Sequence, residues 1–330
     1  MSPYTADTTA DEVAADCQAQ IAGKTVLVTG ATPGGLGAAF ALAIAKQRPA
    51  CIVLATRSRA TADETAAQIH AAAPDVRVRC VELDLGSQLQ VRAAAAEVNA
   101  FDETVDVLVN NAGVMACPYA QTVDGIERQF GTNFVGHFLF TNLLLPKMLA
   151  RGVPVRVVNV SSDGHRFSHV RFEDLGFELT FFFKDGKVYD RWTAYAQSKT
   201  ANMLFSLSLA EKLGNKNLVS VSLHPGVIWT NLGRDVKNEE FSQISELDRI
   251  QGHRSILAKG FKTKTLESGV ATHVVAAFHP SLDAPELNGS YLQDCNPVKR
   301  EEMLPWGRDP IDAERLWKVG EQLVSQSFAY

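Results

Sequence analysis

Residues 24 to 37 read Lys24-Thr-Val-Leu-Val-Thr29-Gly30-Ala-Thr-Pro-Gly34-Gly35-Leu36-Gly37. Lys24 to Thr29 is a short β-branched run, the glycines form a turn, and Leu36 to Lys46 is alanine-rich and helical in character. Strand, turn and helix in that order open a βαβ unit. Glycines in such a turn let the chain bend tightly and let a pyrophosphate approach the helix amino terminus, so the pattern points to a bound dinucleotide. The alternative is a tight turn with no ligand.

The alternation continues. Strands are expected at Cys51 to Thr56, Val76 to Leu83, Val105 to Asn110, Val155 to Val160 and Leu218 to Leu223, with a last short one near Ser290 to Leu292. Helices are expected at Thr61 to Ala73 and Gln88 to Ala100, and around 123 to 150, 193 to 214 and 268 to 279. This is the α/β class: a single Rossmann-like, doubly wound parallel sheet with helices on both faces. No Pro/Gly/Ser-rich linker divides the chain, so residues 1 to 330 form one nucleotide-binding domain. Three segments read as additions: 1 to 22, where Thr8 or Thr9 caps a short helix; 163 to 192; and 232 to 266. The last two leave the carboxyl ends of strands, where open α/β sheets bind ligands, and are candidate lids.

Composition narrows the function. A formal charge of −5 leaves no basic patch for nucleic acid. Five scattered cysteines without a CxxC pair suggest neither a disulfide framework nor a zinc site, and fit a reducing compartment. The first 21 residues are polar and alanine-rich, and the longest apolar stretch, Phe134 to Leu145, is too short to span a bilayer. A cytoplasmic protein with no integral membrane segment is expected. The eight histidines show no HxxxH or HExxH spacing, so no metal is expected, and His137 reads as a core histidine four residues after Asn133.

Chemistry enters at Tyr195-Ala-Gln-Ser-Lys199. Positions four apart share a helix face, so the ammonium can lie beside the phenol and favour loss of its proton. Taken alone, the pair is as well explained by a solvated helix face.

Its surroundings resemble the short-chain dehydrogenase/reductase family over nearly the whole chain. The glycine turn is similar to TGxxxGxG, although Gly30 and Gly37 stand one residue farther apart, which implies a locally reshaped phosphate loop. Asn110-Asn111-Ala112-Gly113 stands as NNAG, Asn133 takes the helix position of the catalytic asparagine, and Ser161-Ser162 ends the fifth strand. Tyr195 and Lys199 form YxxxK, and Pro225-Gly226 with Thr230 follows the sixth strand. Gly136-His137-Phe138, Tyr195 to Phe205, and Gly289 to Cys295 resemble the retinol-dehydrogenase-like branch, including its soluble fungal relatives. The hydrophobic amino-terminal anchor of the membrane retinol dehydrogenases is not seen.

The resemblance implies a catalytic set of Asn133, Ser162, Tyr195 and Lys199. Tyr195 is the acid/base, Lys199 stabilises its anion and holds the ribose, Ser162 bonds the carbonyl oxygen, and Asn133 holds a water that links Lys199 to solvent. It implies cofactor contacts from Gly30, Gly34, Gly35, Leu36, Gly37, Asp84, Leu85, Asn111, Ala112, Gly113, Tyr195, Lys199, Pro225, Gly226, Val227 and Thr230. The second strand ends Leu54-Ala-Thr-Arg57-Ser58, with Arg57 where an NAD enzyme carries an acid, so NADP is favoured over NAD. Asp84 is otherwise a helix cap.

The stretch from Ser162 to Tyr195 is long for the family's core. It carries Phe167, Phe172, Phe177, Phe181, Phe182, Phe183 and Trp192. These form either an apolar cover over a bulky substrate or a hydrophobic cluster packed under a loop. The expectation is an NADP-dependent oxidoreductase of bulky apolar ketones, aldehydes or alcohols, such as secondary metabolites or lipid-like carbonyls. Reduction of C=N or C=C, isomerisation, and a non-catalytic NADP-binding regulator are the alternatives. The helices near 123 to 150 and 193 to 214 are the family's dimer surface, and the protein is expected to be a monomer or homodimer.

Overall fold

The computed structural model describes residues 3–178, 189–235, 244, 249 and 263–330. Phe181, Phe182 and Phe183, and most of 232 to 266, lie outside the described residues.

The chain opens with a short helix, α1 (Ala10–Asp16), capped by Thr9 in a reciprocal bond with Glu12. There follow β1 (Thr25–Thr29), α2 (Leu36–Ala45), β2 (Cys51–Thr56), α3 (Arg59–Ala72), β3 (Arg77–Glu82), α4 (Gln88–Asn99) and β4 (Val107–Asn110). The second half holds α5 (Gly136–Leu149), β5 (Val155–Val160), α6 (Arg191–Leu213), β6 (Leu218–His224), α7 (Ala271–Phe278), β7 (Tyr291–Gln293), β8 (Asn296–Pro297) and α8 (Pro310–Leu323). One eight-stranded sheet runs in the order β3-β2-β1-β4-β5-β6-β7-β8; all neighbours are parallel except β7 and β8.

β1, β2, β4 and β5 are buried along their whole length, as the unbroken Val/Leu/Ile runs demand of strands covered on both faces. On one face Val13, Phe40, Ile44, Ile69, Val274 and Phe278 build a core between the sheet and α1, α2, α3 and α7. On the other, Val91, Phe138, Leu204, Phe205, Leu316 and Trp317 pack from α4, α5, α6 and α8. The order of strands reverses between β1 and β4, which opens a crevice at their carboxyl ends.

Three elements differ from the sequence expectations. The helix expected from 123 starts at Arg128, because Gly125 turns with φ +77° and Gln121 bridges Glu127 ahead of it. From Gly131 to Val135 the helix widens to a π-turn before α5 begins. The strand β8 and the helix α8 have no counterpart in the expected elements. The α8 start is nonetheless written locally: Asp309 accepts from Ile311 N at 2.8 Å, and Pro310 occupies the first helical position.

Candidate active site

The glycine turn connects β1 to α2. Gly30 has φ +71°, and a Cβ there would stand 2.8 Å from Ala112 Cα; a Cβ on Gly37 would stand 2.7 Å from both Asn111 Nδ2 and Gly30 O. The turn therefore packs directly on the loop after β4. Thr29 joins the two: its hydroxyl accepts from Asn111 N at 2.9 Å and Ala112 N at 3.0 Å, and Asn111 Nδ2 donates to Thr29 O at 2.8 Å. The N-cap of α2 is Gly35, and no side chain caps its first turn. That helix start offers its N–H groups to an anion, so the residues fit a dinucleotide's pyrophosphate.

With both backbone amides donating to the Thr29 hydroxyl, its own proton goes to His137 Nε2 at 2.9 Å. His137 Nδ1 then carries the second proton and donates to Asn133 O at 3.0 Å. Burial holds this imidazole neutral and pushes its pKa down to about 4. The Asn133 amide is likewise engaged. Its Oδ1 accepts from Val114 N at 2.8 Å, and Nδ2 donates to Val114 O and Ser198 Oγ, each at 2.9 Å. Asn133 thus stands as a strap between the helix before α5, the loop after β4 and α6. Gly113 passes close by, where a Cβ would lie 3.0 Å from Asn133 Oδ1 and 3.5 Å from Lys199 Nζ.

Tyr195 and Lys199 lie one turn apart on α6, both buried, with Lys199 Nζ 5.6 Å from the Tyr195 ring centre. Lys199 Nζ also donates to Val160 O at 3.0 Å, at the end of β5. Burial pushes the Tyr195 phenol up to about 12, and a hydrogen bond from Ser162 acts the other way. Burial also pulls the Lys199 ammonium down to about 8. In the protein by itself burial sets the phenol's position, opposed by Ser162 and not by Lys199.

Adjacent serines on one strand end divide as alternation requires. Ser161 is buried and donates to Lys199 O at 2.8 Å. Ser162 accepts from Gly164 N at 3.0 Å, which leaves its own proton free to donate. His165 fastens the Ser162 backbone, its Nδ1 2.7 Å from Ser162 O.

These groups meet in a cleft of about 1240 Å³, part of it open to bulk solvent. Leu36, Asn111, Gly113, Ser162, Tyr195, Lys199, Pro225, Gly226, Val227 and Thr230 line it. The buried Asn133 does not itself line the cleft, nor do Ala112 and the glycines Gly30, Gly34, Gly35 and Gly37, of which Gly34 is exposed. Arg57 is exposed at the end of β2, and Ser87, not Asp84, caps α4; Asp84 Oδ1 instead accepts from Gly86 N at 2.9 Å. Leu85 is buried in the core beside it.

Sequence reasoning missed several wall residues: Met115, Asp163, Gly164, His224, Trp229, Leu232 and Ile244. Gly164 had a legible signal, since a glycine two residues after Ser162 suits a backbone that meets a ring. A Cβ there would stand 3.1 Å from Tyr195 Cε1. The aromatic set divides. Phe167 and Trp192 reach the cleft, whereas Phe172 and Phe177 turn away, under the guanidinium groups of Arg315 and Arg171.

The comparisons with known proteins agree with this geometry. The short chain dehydrogenase family model matches residues 24–171. Retinol dehydrogenase 14 of Mus musculus is 37% identical over 92% of this chain and 86% of its own length. The chain belongs to the short-chain dehydrogenase/reductase family, in its retinol-dehydrogenase-like branch. Another relative in that family, the chloroplastic short-chain dehydrogenase TIC 32 A of Brassica napus, is 34% identical over 98% of this chain and 95% of its own. A crystal structure of an uncharacterised protein from Mycobacterium paratuberculosis superposes with a TM-score of 0.70 at 32% identity, covering 94% of this chain and 97% of that one. Members of this family of oxidoreductases bind a nicotinamide cofactor. Among the described residues no helix is long and apolar enough to cross a membrane.

Proposed function

We propose that the protein is an NADP(H)-dependent reductase or dehydrogenase of bulky apolar ketones, aldehydes or alcohols, with Tyr195 as its acid/base. The observation that carries this reading is the convergence of the buried Tyr195 phenol, the Ser162 hydroxyl and the Lys199 ammonium on one cleft whose remaining wall is mostly apolar.

The nicotinamide supplies the hydride, or accepts it, and in its oxidised form brings a positive charge to the cleft. All else falls to the chain. In the reductive direction Tyr195 gives its proton to the developing alkoxide, and Ser162 donates a hydrogen bond to the same oxygen. Lys199 favours the resulting phenolate by charge. Gly113, Pro225, Gly226, Val227 and Thr230 line the space for the nicotinamide ribose and carboxamide. Met115, Phe167, Trp192, Ile228, Leu232 and Ile244 exclude water and suit an apolar substrate body. The relatives named retinol dehydrogenases, whose names specify a bulky apolar alcohol, support the same substrate class. Arg57, exposed just beyond β2 at a strand end that itself carries no acid, supports the 2′-phosphate of NADP.

The test is a screen for NADPH oxidation across apolar ketones, aldehydes, quinones and imines, repeated with NADH. Turnover of apolar C=O compounds, faster with NADPH, is the expected result. Turnover of imines alone, or none with any carbonyl, overturns the reading.

We also read the protein as a monomer, because α8 and the residues after it cover the outer faces of α5 and α6. Phe138 packs edge-on against Trp317 at 5.2 Å and Phe328 at 5.7 Å.

A further inference from the structure

The turn that faces the nicotinamide space is held from behind by an ion pair. Gly226 has φ +100°, and a Cβ on it would fall 2.7 Å from Lys264 Cδ and 3.1 Å from Lys264 Cε. The Lys264 stem therefore lies directly across the Pro225-Gly226 backbone. Its ammonium meets Asp294 Oδ1 at 2.5 Å, with the lysine side chain 9% exposed and the aspartate 41%. The backbone repeats the link: Lys264 N donates to Val227 O at 2.9 Å, and Thr263 bridges Val227 in parallel.

Asp294 is a firm anchor. It and Cys295 form the two-residue turn between β7 and β8, with φ +49° and +65°, the backbone of a tight hairpin. Asn296 Nδ2 donates to Asp294 O at 2.8 Å, and Cys295 N donates to Thr272 Oγ1 on α7 at 3.1 Å. β7 pairs with the end of β6, His224 opposite Gln293, so the hairpin stands beside the turn it restrains. Thr263 and Lys264 are thus pinned against the turn that follows β6, over the cofactor loop.

We infer that Lys264 and Asp294 are positioning residues for the nicotinamide end of the cofactor: they hold residues 226 to 228 at the distance hydride transfer needs. The inference rests on the reading of Pro225 to Thr230 as the nicotinamide wall. It also gives the Gly289 to Cys295 stretch a function apart from closing the sheet.

Lys264→Met keeps the stem without the charge, Asp294→Asn keeps the turn, and the double variant removes the pair. Each is titrated with NADPH and with 2′-phospho-ADP-ribose, which carries the adenosine end without nicotinamide, and thermal midpoints are recorded alongside. NADPH affinity is expected to fall about tenfold in each single variant, while the nicotinamide-free probe stays within about twofold. The double variant is expected to match the singles, and Asp294→Glu to restore most of the loss. Should Asp294→Asn lose its fold, Lys264→Met, which leaves the hairpin untouched, carries the same comparison. Equal weakening of both ligands, or unchanged NADPH affinity in folded variants, overturns the inference while the function reading stands. Wild-type protein that binds neither ligand overturns both.

Discussion

Desolvation governs the protonation of the site. Burial holds the Tyr195 phenol up to about 12 and the Lys199 ammonium down to about 8, so the chain by itself keeps a neutral phenol ready to donate. Tyr195→Phe should lower kcat by roughly 10²- to 10⁴-fold while NADPH affinity stays within about twofold, measured by steady-state kinetics and fluorescence titration. A variant with the native rate would show that another group moves the proton. Burial also sets an acid limit. His137 and His165 each stand at about 4 against an ordinary 6.5. Their folded values are depressed, so the stability they contribute is present above pH 6.5 and lost as pH falls toward 4. Each shift is worth on the order of 3 kcal/mol. Urea denaturation across that window should show a steep loss of stability. His137→Asn should lower stability at pH 7 by about 1–3 kcal/mol, through the orphaned Thr29 and Asn133 groups, and flatten the slope below pH 6.5. An unchanged slope would locate the acid limit elsewhere. Tyr195, Lys199, Ser162 and Asn133 were legible because family spacing marks them. His137 was legible as a core histidine, but the partners of His137 and His165 were not, because they depend on which hydroxyl and carbonyl the fold brings to each ring.

The alternation of β-branched runs and alanine-rich stretches located every strand from β1 to β7 within two residues at each end. β1, β2, β4 and β5 among them are buried on both faces, so their apolar runs are unbroken, whereas the edge strand β3 shows itself by alternation of Arg77, Arg79 and Val78, Cys80. β8 is two residues long and carries no pattern of its own; only its pairing with β7 defines it. The helix before α5 was misplaced at its start because Asp124-Gly125 makes a turn inside an otherwise helical composition. At the end of β2, Arg57 leads into α3 with an exposed side chain, and β2 itself ends without an acid. Arg57→Gln is therefore expected to raise the KM for NADPH roughly tenfold and leave that for NADH within about twofold, since only the 2′-phosphate requires the guanidinium. Equal effects on the two cofactors in steady-state assays would remove Arg57 from phosphate recognition. In the approach to α6, Tyr189 donates to the buried Glu127 carboxylate at 2.7 Å, and Gln129 Nε2 donates to Tyr189 Oη at 2.8 Å and to Arg191 O at 2.9 Å. That network sets where α6 begins, and with it the height of Tyr195. Composition showed the aromatics of this stretch but not the buried polar hub that orders them.

The whole molecule closes on itself through its last 21 residues, 310 to 330. α8 lays Ala313, Leu316 and Trp317 into the core formed by α5 and α6, and Ser208 Oγ on α6 donates to Ala313 O at 2.8 Å. Beyond it, Tyr330 donates to Asn142 Oδ1 at 2.8 Å, beside the Asn142 carbonyl that Pro146 deprives of its helical N–H. The two helices that the family resemblance marks as a dimer surface are thus packed against α8 and the residues after it. Light scattering coupled to gel filtration should return a monomer at micromolar concentration. Trp317→Ala opens a cavity where Phe138, Phe205 and Tyr330 meet the indole, and should cost about 3–5 kcal/mol in urea denaturation. Truncation after Asp309 goes further, since it bares Phe138 and Phe205 together; the expected product dimerises or aggregates. A wild-type dimer, or a truncated chain that stays monomeric at native stability, would mean that α8 is not what satisfies this face.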